Sequence, residues 1–184
     1  MPQSLAVWVV IFLAFATASL PFLLQRHLLA LPWAQPGEPS RPALLRVFES
    51  LVFFALLLGW WGLALYWIGD AYIGADPASA LVFLAKVVGV LALAVLLLAY
   101  PGYRYRSVSV GKPVIARLLE VLVLYLMVGT IGLAFETNIG NAFKQGWEFY
   151  AITLSLYLVL AYPGFVLRYL LRRQHHGRRR VVAK

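Results

Sequence analysis

A lysine inside an apolar stretch is the residue of this sequence best suited to chemistry. Lys86 has Val82, Phe83 and Val87 as neighbours, and it lies about 12 Å below Ala78, where its helix would enter a bilayer. Insertion scales assign lysine at such a depth a cost of about 2.5–3.5 kcal/mol. Lys86 is therefore a candidate for a proton- or ion-linked site, or for contact with the carboxylate of a partner. The alternative is that its stem lies along the helix and its amine reaches the interface.

Two Arg-x-x-Glu pairs are the next candidates. Arg46 and Glu49, and likewise Arg117 and Glu120, are three residues apart, which places each pair on one face of a helix. We expect intrahelical ion pairs that anchor the starts of two helices. The alternative is that these residues bind another subunit or a lipid phosphate.

The remaining residue types argue against catalysis. The chain has no cysteine, which excludes disulfides, thiolate chemistry and thiolate-bound metals or iron–sulfur clusters. His27, His175 and His176 lie near or beyond the ends of apolar stretches, which disfavours haem ligation in a bilayer, and the adjacent pair is a weak metal signal. We expect a protein that is not an enzyme and holds no metal or cofactor.

An internal repeat organises these residues, because residues 41–106 resemble residues 112–168. Each copy contains two long apolar runs, so the repeating unit is a membrane helical hairpin. Corresponding segments are Arg41-Pro42 and Lys112-Pro113, Arg46-Val47-Phe48-Glu49 and Arg117-Leu118-Leu119-Glu120, and Tyr100-Pro101-Gly102 and Tyr162-Pro163-Gly164.

The composition requires a membrane environment, because 62% of the 184 residues are hydrophobic and 12% are charged, against about 25% charged in soluble domains. Five segments reach the roughly 20 residues that a spanning helix needs: 5–24, 44–67, 78–100, 114–135 and 147–167. We predict an all-α integral membrane protein with one leading helix and two parallel-repeat hairpins. Residues 1–173 form one transmembrane domain, and residues 174–184 form a basic cytoplasmic tail.

Basic residues define the orientation. They flank the first and third loops and fill the C-terminal segment, whereas the second and fourth loops carry mainly Asp and Glu. Positive charge marks the cytoplasmic side, so the N-terminus is expected outside and the C-terminus inside. Ala16-Thr17-Ala18 has the form of a signal-peptide cleavage site, but no positive charge precedes the apolar run, so we expect a retained span.

Small and aromatic residues indicate packing surfaces and interfaces. Ala55, Gly59 and Gly62 share a helix face, and so do Ala85, Gly89 and Ala92; such spacing lets membrane helices approach closely. We therefore expect Gly59 and Gly62 to face protein, either the third span or a partner. An aromatic belt at the outer interface is predicted from Trp60, Trp61, Tyr66, Trp67, Trp147, Phe149 and Tyr150.

The formal charge of +9 favours anionic lipids as a partner. Its basic residues are concentrated between and after the apolar runs, where each adds about 1 kcal/mol of attraction to an anionic surface. No nucleic-acid-binding module accompanies the charge, so nucleic acid is not an expected partner.

Two stretches carry a family resemblance. Residues 1–26 and 112–173, above all Gln145-Gly146-Trp147-Glu148-Phe149-Tyr150, resemble a family of small bacterial inner-membrane proteins defined as a domain of unknown function. The resemblance implies three spans and genes commonly beside those of the proton-pumping NADH:quinone oxidoreductase. It also makes Trp147 and Glu148 candidate interaction residues. This chain differs from the pattern by an extra hairpin, residues 41–106.

Two functions fit these observations. The first is an accessory or assembly subunit of a larger membrane complex, which the resemblance nominates as the NADH:quinone oxidoreductase. The alternative is a small transporter or channel with a pathway near Lys86. The spans hold few other polar groups for such a pathway, although homo-oligomerisation would supply further walls.

Overall fold

The computed structural model describes residues 3–39, 41–71, 74, 76–104, 111–140 and 143–171, and within these ranges it contains helices and no strand. The helices are α1 (Gln3–Ala18), α2 (Leu20–Leu23), α3 (Ala43–Ala64), α4 (Pro77–Arg104), α5 (Val114–Asn138) and α6 (Trp147–Val166). Short π-helical segments, Leu65–Gly69 and Leu167–Leu171, extend α3 and α6. The predicted basic tail lies outside the described residues.

The described part of the chain contains five helices that are long and apolar enough to cross a membrane: Gln3–Leu23, Ala43–Gly69, Pro77–Arg104, Val114–Asn138 and Trp147–Leu170. The prediction of an all-α membrane protein with five spans is therefore confirmed. The short α2 is the continuation of α1, so the two together form the first span.

Local sequence explains where these helices begin and end. Proline precedes α3 and α5 and opens α4, positions where its missing N–H leaves no bond unmade. The Asp76 carboxylate accepts a 2.9 Å hydrogen bond from the Ser79 N–H, which caps α4 and holds the pKa of Asp76 below its ordinary value of 3.8. At the end of α5, Gly140 adopts φ +76°, a left-handed conformation that terminates helices.

A side chain from α5 completes the end of the second span. Asn138 Nδ2 donates to the carbonyl oxygens of Ile68, at 2.9 Å, and Ala71, at 2.7 Å. The last carbonyls of a helix have no partner within it, so this amide satisfies groups that would otherwise lack bonds in an apolar setting. Gly69 packs directly against Thr137 of α5, and the two hairpins are thereby joined.

Helix α5 is the centre of the bundle. It contacts α1, α2, α3 and α6, and half of its most apolar stretch is buried, against 17–28% in the other spans. Helix α1 packs against both α5 and α6, whereas α5 and α6 contact each other over a shorter stretch. The leading helix therefore sits between the two helices of the second hairpin.

The bundle has a basic end and an acidic end. The basic end comprises the ends of α2, α4 and α6 and the starts of α3 and α5; the opposite, acidic end carries Asp70, Asp76, Glu136 and Glu148. The first loop, residues 24–39, folds into the basic end. Its residues Leu29 and Leu31 are buried with Phe53 and Leu57 of α3 and Ala116 of α5.

One member of the predicted aromatic belt belongs to the core instead. Trp60 is buried, and its indole N–H donates a 2.9 Å hydrogen bond to the carbonyl oxygen of Val90 on α4. A buried tryptophan needs such a partner for its N–H. Tyr66 and Trp147 are exposed, as expected of interfacial residues.

Candidate functional site

A buried ion pair between Lys112 and Glu120 lies at the centre of the basic end. The Lys112 ammonium contacts the Glu120 carboxylate, and both side chains are 1% exposed. Lys112 precedes α5, whereas Glu120 lies about 9 Å inside it, so the lysine stem runs along the helix into the bundle. The charges compensate each other where neither could be buried alone.

The same pair binds the backbone of the preceding segment. Lys112 Nζ donates to the carbonyl oxygen of Arg26, at 3.0 Å, and a second contact to Leu24 measures 3.5 Å. Glu120 Oε1 accepts a 2.9 Å hydrogen bond from the N–H of Leu28. Lysine and glutamate therefore fix the chain where it leaves the first span. We call this arrangement the Lys112–Glu120 clamp.

Arg117 reinforces the clamp from the same helix. It is 3% exposed, its Nη1 lies 3.5 Å from the carbonyl oxygen of Phe22, and its guanidinium lies 5.6 Å from the ring centroid of Tyr169. Cations are favourable beside the carbonyls at a helix end and over an aromatic face. Arg117 thus links α5 to the end of α2 and to the segment that follows α6.

The predicted intrahelical pairs are wrong. Glu120 pairs with Lys112, Glu49 pairs with Arg104 at the end of α4, and Arg46 Nε lies 3.6 Å from Glu38 Oε1 of the first loop. The i to i+3 spacing permits an intrahelical contact, but the bundle brings better partners to the same side chains. All four predicted residues instead join different elements at the basic end.

Two basic groups in and beside the clamp, Lys112 and His27, have pKa values below their ordinary values. Burial and the nearby Lys112 ammonium hold the pKa of His27 below its ordinary value of 6.5, although its hydrogen bond to the Gly111 backbone opposes the shift. Burial also holds the pKa of Lys112 below 10.5 despite the attraction of Glu120. Both pKa shifts favour the neutral form of the side chain, so they oppose the build-up of positive charge beneath the first loop.

Sequence reasoning did not select Lys112 as a site residue. Lys112 and Glu120 are eight positions apart, which exceeds any helical contact spacing, so no local pattern joins them. A signal was nevertheless present: Lys112-Pro113 corresponds to Arg41-Pro42 in the repeat, so a cation stands before the proline in both copies.

Lys86 is half-buried in α4. Within the described ranges no carboxylate lies within ion-pair distance of its amine. The chain therefore supplies no internal counter-ion among these residues. A proton- or ion-linked site, a contact with the carboxylate of a partner, and snorkelling all stay predictions for Lys86.

Among the residues that the structure describes, nothing packs against Gly59 and Gly62 on the small-residue face of α3. Ala55, Gly59 and Gly62 are exposed, and a Cβ added at either glycine would meet nothing within 4 Å. The opposite face of α3 packs against the core, and it carries Phe53, Leu57, Trp60 and Ala64. The expectation that Gly59 and Gly62 pack against the third span is therefore wrong, because the larger side chains of α3 supply that contact.

Trp147 and Glu148 stand at the start of α6. Trp147 is 75% exposed, and Glu148 lies in the first turn of the helix, where negative charge is favourable to the helix dipole. Both side chains are available at the surface of the acidic end.

Metal ligation has little basis in the described ranges. No group of three His, Asp or Glu side chains there could hold a metal ion. His175 and His176 lie outside the described residues.

A groove of about 640 Å³ opens between α1, α5 and α6 in the half of the bundle nearer the acidic end. Its walls are mostly apolar, and they include Ala6, Val10, Gly129 and Gly132. Towards the basic end the helices close: Gly164 of α6 lies so near Ser19 that an added Cβ would come within 3.0 Å. By contrast, a Cβ at Gly129 would meet nothing within 4 Å.

Comparison with known proteins finds that the second hairpin is similar to one family. A family model described as "Protein of unknown function (DUF2818)" matches residues 105–172. The match covers 68 of the 184 residues, and it contains α5, α6 and the ionic residues of the clamp. Residues 1–26, where a resemblance was also expected, lie outside it. No curated protein and no solved structure matches the chain.

Replacing the clamp lysine tests its role in stability. Lys112→Met leaves the Glu120 carboxylate buried without its cation, which we expect to cost about 3–5 kcal/mol. The Tm, followed by intrinsic tryptophan fluorescence in detergent, should fall by roughly 6–20 °C. Lys112→Met with Glu120→Gln should lose less than the two single variants added together, because no buried charge is left.

The repeat supplies a matched control. Glu49 corresponds to Glu120 but is 31% exposed beside Arg104, so Glu49→Gln should cost at most about 1 kcal/mol. Equal losses for Glu49→Gln and Lys112→Met would contradict the importance assigned to the clamp.

The lowered pKa of His27 predicts that the folded protein loses stability in acid. Because its folded pKa lies below 6.5, the unfolded chain binds more protons as the pH falls past that value, and the free energy of unfolding decreases. The Tm of the natural protein should therefore fall more between about pH 7.5 and about pH 5 than that of His27→Gln, which does not titrate. An equal fall in both proteins would exclude His27 as the cause.

Proposed function

We propose that the chain is a non-catalytic accessory or assembly subunit of a larger membrane complex. The observation that carries the proposal is the open face of α3. Ala55, Gly59 and Gly62 form a strip on the side of α3 that turns away from the core, and no side chain of the described part of the chain covers the two glycines.

Such a strip favours a protein neighbour. In a bilayer, helix association depends on close packing more than on exclusion of water, and small residues let two backbones approach. The chain satisfies its own core with Phe53, Leu57 and Trp60 on the other face, so the strip is not needed for folding. A transmembrane helix of a partner subunit is the occupant that its shape suits.

The family resemblance supports the choice of complex. The second hairpin is similar to the family described above, and the resemblance of the chain to small inner-membrane proteins encoded beside the NADH:quinone oxidoreductase nominates that enzyme as the partner. We place the protein in the bacterial inner membrane, with the basic end cytoplasmic and the N-terminus periplasmic, because positive charge marks the inner side. Anionic headgroups would then adjoin the basic tail.

The competing hypothesis is a transport pathway near Lys86. The groove between α1, α5 and α6 is not lined by Lys86, so that cavity gives the hypothesis no support, and we prefer the subunit role.

Reporter fusions test the proposed orientation. A fusion after Ala34 should report a cytoplasmic location, whereas fusions after Gly74 and after Lys144 should report a periplasmic one. The reverse pattern would contradict the positive-inside argument and the orientation together.

Purification from native membranes tests the subunit role. Tagged protein extracted in mild detergent should bring down a stable set of membrane subunits, identified by mass spectrometry and migrating together on a native gel. Gly59→Leu should deplete those subunits by about tenfold or more, since a bulky side chain separates the helices. The open space at Gly59 means that the variant should fold normally.

A second glycine provides the control. Gly129 is equally open but lies in the groove, so Gly129→Leu adds the same side chain on another face and should leave the partner subunits bound. Depletion by Gly129→Leu and not by Gly59→Leu would place the partner in the groove and contradict the role of the α3 strip. Recovery of the natural protein alone would contradict the subunit hypothesis.

A further inference from the structure

The groove between α1, α5 and α6 has the dimensions of a hydrocarbon site. Along α5 it runs from Tyr125 to Glu136, a rise of roughly 17 Å, which is close to half of a ~30 Å bilayer core. Dividing its 640 Å³ by this length gives a mean cross-section of roughly 40 Å². For the centre of a water molecule that section is about 7 Å across, and the 1.4 Å radius of water at each wall brings the free width of the groove to about 10 Å.

Apolar chains fit this width, since carbon atoms pack about 3.5–4.0 Å apart. The floor of the groove, by which we mean its end nearer the basic end of the bundle, is held by two hydrogen bonds between helices. The Tyr125 hydroxyl lies 2.8 Å from Thr153 Oγ1, and the Tyr157 hydroxyl lies 2.8 Å from Thr17 Oγ1. These bonds use the polar atoms of the floor internally. What remains along the walls is apolar, with Gly129 open to the space.

The mouth of the groove carries negative charge. Glu136 lines it in the last turn of α5, with the Gln145 amide 3.4 Å from its Oε2. Among the described residues, no Lys or Arg pairs with this carboxylate. Gln3 also lines the mouth, at the start of α1.

We propose that the groove binds one membrane lipid with a primary ammonium headgroup, of the phosphatidylethanolamine class. Its hydrocarbon enters the groove beside Gly129, and its ammonium donates to the Glu136 carboxylate. Charge complementarity selects the headgroup, because an anionic headgroup would meet the carboxylate with like charge. This site is distinct from the small-residue strip of α3, so it stands or falls independently of the proposed subunit role.

Native mass spectrometry of the purified protein tests the site. The probes are phosphatidylethanolamine, phosphatidylcholine and phosphatidylglycerol with identical palmitoyl and oleoyl chains, added to delipidated protein. The natural protein should retain phosphatidylethanolamine about two- to fivefold better than either competitor, the range expected of one partly exposed ion pair. Glu136→Gln should abolish this preference while still binding lipid.

Two glycine variants separate the groove from the rest of the surface. Gly129→Leu should remove most of the bound lipid, because its side chain fills the groove without a clash. Gly59→Leu, equally open on α3, should bind lipid like the natural protein.

Three results would overturn the proposal. Lipid retention by Gly129→Leu equal to that of the natural protein would mean that the groove is not the site. A preference for phosphatidylethanolamine that persists in Glu136→Gln would refute the headgroup contact. A bound polypeptide or a second copy that is lost in Gly129→Leu, while lipid binding is unchanged, would assign the groove to protein.

Discussion

The burial of one ion pair at the basic end constrains everything around it. With Lys112 and Glu120 both 1% exposed, either charge alone would be strongly destabilising, so the pair must stay together. Each partner also holds backbone atoms of residues 24–28. The position of the leading span relative to α5 follows from this, and so does the burial of the first loop between α3 and α5.

The clamp explains why two similar hairpins have different neighbours. Both copies begin with a cation, a proline and an Arg-x-x-Glu segment. In the second copy the glutamate turns inward because an N–H of the first loop and a lysine meet it there. In the first copy, Glu49 turns to the end of its own hairpin and pairs with Arg104 at a partly exposed site. The glutamate of the repeated segment is therefore buried in the second copy and partly exposed in the first.

Sequence reasoning recovered the features that depend on local composition. Length and apolarity sufficed for the five spans, and the repeat located the residues that gather at the basic end. The partners of those residues depend on how separate elements meet, and helix periodicity holds no information about that. Arg46 shows the limit: its neighbour three positions away was predicted, but Glu38 of the first loop is the one within 4 Å.

The same limit applies at Gly59. Small residues were expected to mark a contact of α3 with α4 or with a partner, because they permit close approach, and the first of these two alternatives is the one that is wrong. That contact uses Trp60 instead, whose size fills the space and whose indole N–H reaches Val90. At the basic end, close approach occurs at Gly102 against Arg26 and at Gly164 against Ser19. Since α1, α5 and α6 are held tightly at the basic end, any divergence between them widens towards the acidic end, where Gly129 and Gly132 leave the walls of the groove thin. The clamp therefore lies at the tight end of the bundle, and the groove lies towards the opposite end.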